Sequence, residues 1–183
     1  MIHLEQHGLT AIGALQRYNI EWQKFLKEYK LEDFAGYAKP TTLGWKVPDK
    51  ATLFKCLQDN AKDIEQVHIG TVNDRYIASA VLKQPLDGGL WILKILERRA
   101  GSQDAVGLDS VDYLVPNLEE TFQGLKGLGV YIKKESNDAH EWLSVRFGPN
   151  DEYEAKFTDG LVLAVAQKEL KLSEDDLLER ITG

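Results

Sequence analysis

A single cysteine, Cys56, stands among the 183 residues. One thiol excludes an internal disulfide and any cysteine-rich zinc site, and it fits a reducing cytoplasm. Basic residues are in the minority: 22 Lys and Arg against 29 Asp and Glu give a formal charge of −7. Nucleic acids and anionic bilayers are held by basic patches, and here the basic residues are interleaved with acidic ones. The sequence therefore argues against a nucleic-acid partner and against a membrane surface. No apolar run approaches the roughly 20 residues that span a bilayer. The segment Met1-Ile2-His3-Leu4-Glu5-Gln6-His7 lacks the charged-then-apolar pattern of a secretory signal, so the expected location is the cytoplasm. Also missing are a Gly-x-Ser-x-Gly setting, a Gly-rich phosphate loop and any low-complexity stretch. With 43% hydrophobic and 28% charged residues, the chain has the composition of a folded domain rather than a disordered one. Its length suits one domain with a sizeable core.

What the sequence does contain is an internal repeat. Trp45-Lys46-Val47-Pro48-Asp49 and Phe54, Leu57 align with Tyr113-Leu114-Val115-Pro116-Asn117 and Phe122, Leu125 at a constant offset of 68 positions. Each copy reads as a strand, a turn that caps a helix, and the buried stripe of that helix. The spacing is too long for a solenoid and suits a duplicated supersecondary module.

The rest of the chain can be read around these two anchors. Thr10 to Lys30 is helical, with Leu15, Tyr18, Trp22 and Phe25 at steps of three and four. Thr41 to Val47 alternates, with Leu43, Trp45 and Val47 on one face and Thr42, Gly44 and Lys46 on the other. Asp49 caps the next helix. Strands follow at Gln66–Val72, Arg75–Lys83 and Leu90–Glu97, so the first module is βαβββ. The second opens with Asp109–Val115 and a helix over Asn117–Leu128 that Gly129 ends. It continues with strands near Val130–Lys134, Trp142–Phe147, Tyr153–Phe157 and Leu161–Ala166, one more than the first module has. The expected organisation is one domain: residues 1–40 a helical extension, 41–99 and 107–170 the two modules, and 171–183 a terminal helix capped by Ser173. The fold class is α+β, with tandem βαβββ modules forming a cupped mixed sheet, helices outside it, and the N-terminal helix added.

A tandem βαβββ arrangement, each copy with its alternating strand and Val-Pro-Asp/Asn turn, resembles the vicinal oxygen chelate superfamily of glyoxalases, extradiol dioxygenases and bleomycin-resistance proteins. In layout it is most similar to the YecM-like proteins, through the leading helix, the Thr42-to-Pro48 strand, the Gly107-to-Pro116 segment and Phe157-Thr158-Asp159-Gly160. The resemblance implies a cup in which metal-dependent members hold a divalent ion with two first-strand and two last-strand side chains. Six residues before each Val-Pro proline stand Thr42 and Ser110, and neither hydroxyl competes for such an ion at neutral pH. The last-strand positions read as Glu97 and Gln167. The resemblance thus implies a member without its metal and without a cofactor.

Within that cup, Asp112 shares a face with Ser110, and a Lys46–Asp112 pair across the pseudo-twofold is expected. Trp91, Leu93 and Ile95 share the face of Glu97 and are expected to form an apolar lining, with Lys46, Asp112 and Glu97 as polar points. His68 and the His140-Glu141 pair read as structural, and Cys56 as a helix residue with nothing to activate it. Three functions stay open. The first is a metal-free binder of a small molecule in the cup, as monomer or homodimer. The second is an enzyme of the lyase, isomerase or dioxygenase type, using a metal or a carboxylate such as Glu97 or Asp112 with a raised pKa. The third is an interaction module, which exposure of Trp22 and Phe25 would favour.

Overall fold

Two parts of the chain fold in the same strand pattern and lie side by side in one sheet. The structure, a computed structural model, describes residues 2–6, 9–72, 74–87, 89–137, 140–160 and 170–172. A ribbon of β1 (Glu5–Gln6) and β2 (Leu9–Thr10) leads into α1 (Ala11–Glu28) and the single-turn α2 (Phe34–Tyr37). The first module comprises β3 (Lys39–Val47), α3 (Lys50–Asp59), β4 (Ile64–Val72), β5 (Arg75–Leu86) and β6 (Leu90–Glu97). The second comprises β7 (Gly107–Leu114), α4 (Leu118–Gly127), β8 (Lys133–Ser136), β9 (Glu141–Phe147) and β10 (Tyr153–Thr158). A last strand, β11 (Leu170–Leu172), pairs antiparallel with β4.

Across the sheet the order is β11-β4-β5-β6-β3-β7-β10-β9-β8. In each module, then, the fourth strand lies between the first and the third. β3 runs parallel to β6, and β7 parallel to β10. The two first strands meet antiparallel at the centre, which relates the modules by a pseudo-twofold. This is the α+β architecture of tandem βαβββ modules that the repeat predicts.

Local chemistry explains the helix ends. Thr10, Asp49 and Asn117 each cap the following helix by accepting a backbone N–H three residues on, at 3.2, 2.8 and 2.9 Å. Gly129 ends α4 at φ +83°, where a side chain would be strained. Its N–H donates to Lys126 and that of Val130 to Leu125, so Val130 belongs to the helix end. The strand expected from Val130 therefore starts only at Lys133. The fourth strand of the second module is β10, so this module needs no strand at Leu161–Ala166. That segment and Gln167 lie outside the described residues, as does the terminal helix from Ser173. Lys171 and Leu172, expected in that helix, are paired in β11 instead.

All three long helices pack on one face of the sheet. Trp22 of α1 stacks on Tyr113 at 5.0 Å between ring centroids and lies against Phe147 at 5.1 Å and Phe157 at 6.3 Å. Phe54 of α3 meets Tyr76 edge-on, and α4 packs near β9. Trp22 and Phe25 are 5% and 7% exposed, so the patch that would have favoured an interaction module is part of the core. No described helix is long and apolar enough to cross a membrane.

Candidate functional site

Residues paired across neighbouring strands share a face. One row across the sheet is His68 (β4), Ser79 (β5), Lys94 (β6), Gly44 (β3) and Ser110 (β7). The next row is Val81, Ile92, Thr42, Asp112, Lys156 and Ser144. The residues alternating with them, among them Leu43, Trp45, Leu93, Ile95, Val111 and Phe157, are in the helix-covered core. The two rows therefore lie on the face turned away from the helices, which is the inner face of the cup.

Of the residues expected to line the cup, Thr42, Lys46, Ser110 and Asp112 are on this face. Trp91 and Glu97 are not. Thr42 pairs with Ile92 and Val47 with Glu97, which puts Trp91, Leu93, Ile95 and Glu97 on the helix side. Glu97 Oε2 there accepts the Tyr76 N–H at 3.3 Å. The inner face of β6 carries Ile92, Lys94 and Leu96. Both faces of this strand are largely apolar, so alternation groups its residues correctly but does not say which group meets the helices.

The polar heart of the site is a set of lysines and carboxylates. Lys94 Nζ donates to Asp112 Oδ2 at 3.1 Å, and Ser110 Oγ donates to Asp112 Oδ1 at 3.3 Å. Lys46, expected to pair with Asp112, instead reaches Asp109 at 3.3 Å and Asp104 at 3.7 Å. Asp109 gets there through a bulge: Gly44 pairs with Ser110 and Trp45 with Leu108, leaving Asp109 unopposed. Glu154 on β10 accepts Arg146 at 2.9 Å and Lys156 at 3.5 Å. Sequence reasoning missed Lys94, Lys156, Asp109 and Glu154. A lone lysine within the apolar run Leu90–Leu96 was the available signal.

Burial works to raise the Asp109 carboxyl, but Lys156, Lys46 and Lys94 outweigh it and hold it below the usual carboxylate range. Burial works to lower the Lys156 ammonium, but Asp109, Asp112 and Glu154 outweigh it and hold it above the usual lysine range. A carboxyl depressed on folding contributes stability above its unfolded pKa of about 3.9, lost as pH falls through the folded value. An ammonium raised on folding contributes below about 10.4, lost as pH rises through the folded value. Urea midpoints should therefore be flat near neutrality and fall at both extremes. Asp109→Asn should flatten the acid fall, and an acid limb identical to the wild type would remove Asp109 from the network.

Gly44 lets β3 and β7 close on Ser110. A Cβ built there would lie 2.7 Å from Ser110 Oγ and 3.2 Å from the Ser110 carbonyl oxygen. Gly44→Ala should cost about 1–3 kcal/mol by overpacking, read by chemical denaturation. Adding Ser110→Ala should recover part of the loss; no recovery would place the strain on the backbone alone.

The metal that the resemblance implies does not suit this donor set. The first strands offer the hydroxyls of Thr42 and Ser110, and the last strands offer Ile92 and Lys94 on β6 and Glu154 and Lys156 on β10. The carboxylates beside them, Asp112 and Glu154, are already ion-paired, the first with Lys94 and the second with Arg146 and Lys156, which is a poor setting for a divalent ion. Among the described residues no group of three His, Cys, Asp or Glu is placed to hold one. Cys56 lies away from this face on α3, and burial first, then Asp59, push its thiol up to about 11, so it is a weak nucleophile.

At the second-module end of the sheet lies a cavity of about 540 Å³, lined by His140, Trp142, Glu135, Thr158 and Asn117 among others. Trp142 and Thr158 alternate with Leu143 and Phe157 and so continue the inner face. Trp142 Nε1 donates to Glu135 at 2.8 Å, and the His140 ring stacks on Trp142 at 4.8 Å. Burial and then Lys94 hold the imidazole of His140 low, and Asp112 and Lys156 act on it as well. The cavity thus lies within electrostatic reach of the lysine–carboxylate cluster.

No family model matches the chain, and no curated protein matches it. Among solved structures, the structural-genomics protein EC4020 is similar over 86% of this chain and 92% of its own, at 14% identity and a TM-score of 0.61. Methylmalonyl-CoA epimerase from Streptomyces coelicolor aligns with 68% of this chain and 99% of its own, at 14% identity and a TM-score of 0.49. The Mycobacterium tuberculosis enzyme of that name aligns with 65% of this chain and 85% of its own, at 16% identity and a TM-score of 0.47. Likeness as remote as that to the two epimerases bears no weight for function. The likeness to EC4020 concerns the fold alone.

Proposed function

We propose that the protein binds a small organic molecule in the cup, without a metal. The observation that carries this reading is the replacement chemistry of the inner face. Lys94 and Lys156 occupy equivalent places on the two last strands, where the resemblance calls for metal-ligating groups. At the second-module end of the sheet, within electrostatic reach of these lysines through His140, opens a cavity of about 540 Å³ walled by Trp142 and His140, a size and character usual for a small-molecule site. Of the two carboxylates that could serve a metal-free enzyme, Glu97 is on the other side of the sheet, and Asp112 is in the cup but ion-paired with Lys94 at 3.1 Å, which weakens the enzyme reading. On the proposed reading the protein acts in the cytoplasm, as monomer or homodimer, with no nucleic acid and no membrane as partner.

The test pairs two titrations of the purified chain. Mn²⁺, Ni²⁺ and Zn²⁺ should give no saturable rise in melting temperature, whereas a neutral aromatic probe, benzamide, should give saturable NMR shifts at Trp142 and at Thr158, which also lines the cavity, and Trp142→Ala should abolish those at Thr158. Saturable stabilisation by a metal that Glu154→Gln removes would defeat the metal-free reading. A benzamide titration without saturable shifts at Trp142 would defeat the cavity.

A further inference from the structure

Trp142 lines the cavity with its indole half-buried, and among the described residues its ring partner is His140, stacked at 4.8 Å. Glu135, paired with it on the neighbouring strand, accepts the indole N–H on Oε2 at 2.8 Å. A carboxylate at that edge polarises the indole and deepens the negative potential over its faces, the property that draws a cation to tryptophan. The other oxygen of Glu135 meets Lys133 at 3.1 Å, but that lysine is 64% exposed, so the pair is weak and screened.

The hydrogen-bonding capacity of the wall favours the same kind of ligand. Four donors of the lining are already used. Trp142 Nε1 goes to Glu135, Thr158 Oγ1 to the Gly160 carbonyl at 3.0 Å, the Leu118 N–H to Asp159 at 3.4 Å and Lys134 Nζ to Glu119 at 3.0 Å. Lys134 also lies over the Phe122 ring, at 4.2 Å, rather than over Trp142. Burial and then Lys94 hold His140 low, so its imidazole is neutral near pH 7 and adds no positive charge to the wall. Lys94 and Lys156, which act on it from the floor of the cup, are themselves ion-paired with Asp112 and Glu154. What the wall still offers is lone pairs. The carboxylate of Glu141 makes no ion pair among the described residues, and Asp159 accepts its hydrogen bond on Oδ2, leaving Oδ1 for a ligand.

We propose that this cavity takes an organic cation, an amine or amidinium that lies against the Trp142 ring and donates its N–H groups to carboxylates of the wall. A ring polarised by a carboxylate attracts the positive charge, and the unused lone pairs receive the donors. A neutral ligand of the same shape makes the apolar contact with Trp142 without either gain.

This inference rests on the cavity being a ligand site, and the experiment separates the two. Benzamidinium is the charged counterpart of benzamide, with the same ring and the same planar shape, and benzoate is its anionic counterpart. The full-length protein, Glu135→Gln and Glu141→Gln are titrated with all three at constant ionic strength, read by NMR shifts at Trp142 and Thr158. Benzamidinium should bind about tenfold more tightly than benzamide, the worth of one cation–π contact or one hydrogen bond to a charged group, and benzoate should not saturate. Glu135→Gln keeps an acceptor for the indole N–H and removes the charge. It should weaken benzamidinium about threefold while leaving benzamide unmoved, and Glu141→Gln should act in the same sense. Benzamidinium no tighter than benzamide, or benzoate tighter than either, overturns the proposal and leaves the cavity standing. An advantage that both variants leave unchanged comes from the net negative charge of the whole chain and overturns it as well. If neither benzamide nor benzamidinium saturates, both readings fall.

Discussion

Replacing Trp22 by alanine is expected to lower stability by about 3–5 kcal/mol, the range for a buried tryptophan or phenylalanine cut back to alanine. Trp22 is the meeting point of α1 and the second module. Its ring lies 5.0 Å from Tyr113, 5.1 Å from Phe147 and 5.4 Å from Phe25, from centroid to centroid. Aromatic pairs at such separations are worth about 0.5–1.5 kcal/mol beyond their buried area, and the loss would leave a cavity bounded by three rings. Native stabilities are about 5–15 kcal/mol, so this one change would remove a large share. For a chain of this length each kcal/mol moves the melting temperature by about 2–4 °C, so a fall of about 10 °C is expected. Ile20 lies on the same helix and is 57% exposed; Ile20→Ala should stay within about 0.5 kcal/mol. If Trp22→Ala and Ile20→Ala behaved alike, α1 would be an accessory to the fold and not part of its core.

That helix was legible in the sequence because its evidence is local. Leu15, Tyr18, Trp22 and Phe25 recur at helical spacing, and all four are buried on one stripe. The same holds for the caps at Asp49 and Asn117 and for the left-handed glycine at Gly129. The repeated Val-Pro motif located both first strands, and the strand order follows from joining like modules. Within β3 and β7 the alternation was decisive because one face is apolar and the other polar. In β6 it was not, since Ile92 and Leu96 on the inner face are as apolar as Leu93 and Ile95 on the outer one. A strand buried on both sides gives no sign of which side meets the helices, so Glu97 and Trp91 were assigned to the cup and Lys94 was not.

The partners of charged residues were harder still. Lys46 lies on the same face as Asp112, yet it pairs with Asp109, which only a bulge in β7 brings within reach. A bulge of one residue changes the face of everything before it, and nothing in Gly107-Leu108-Asp109-Ser110 marks it. Lys156 was invisible for another reason. From sequence its strand reads as the fourth of five, because Leu161–Ala166 also has the pattern of a strand and takes the place of the module's last one.

Asp112→Ala carries the second large expectation, a loss of about 2–3 kcal/mol. Cutting one partner from a buried pair costs about 3–5 kcal/mol because the other charge is left desolvated. The side chains of Lys94 and Asp112 are 18% and 16% exposed, so some water reaches them, and the lower figure follows. Asp112 is also the acceptor for Ser110 Oγ and one of the carboxylates that hold the Lys156 ammonium high. Its removal leaves two ammonium groups facing each other across the pseudo-twofold without the anion between them. Removing both charges is another matter. Lys94→Met with Asp112→Leu replaces the pair by apolar groups of similar length beside Ile92 and Leu96, and such replacements are often neutral or better. The double variant should therefore be clearly more stable than Asp112→Ala, with a coupling of about 1 kcal/mol or more in the double-mutant cycle. Urea denaturation of the four proteins decides it. A loss below about 0.5 kcal/mol for Asp112→Ala, or no coupling, would mean that the two groups are solvated apart.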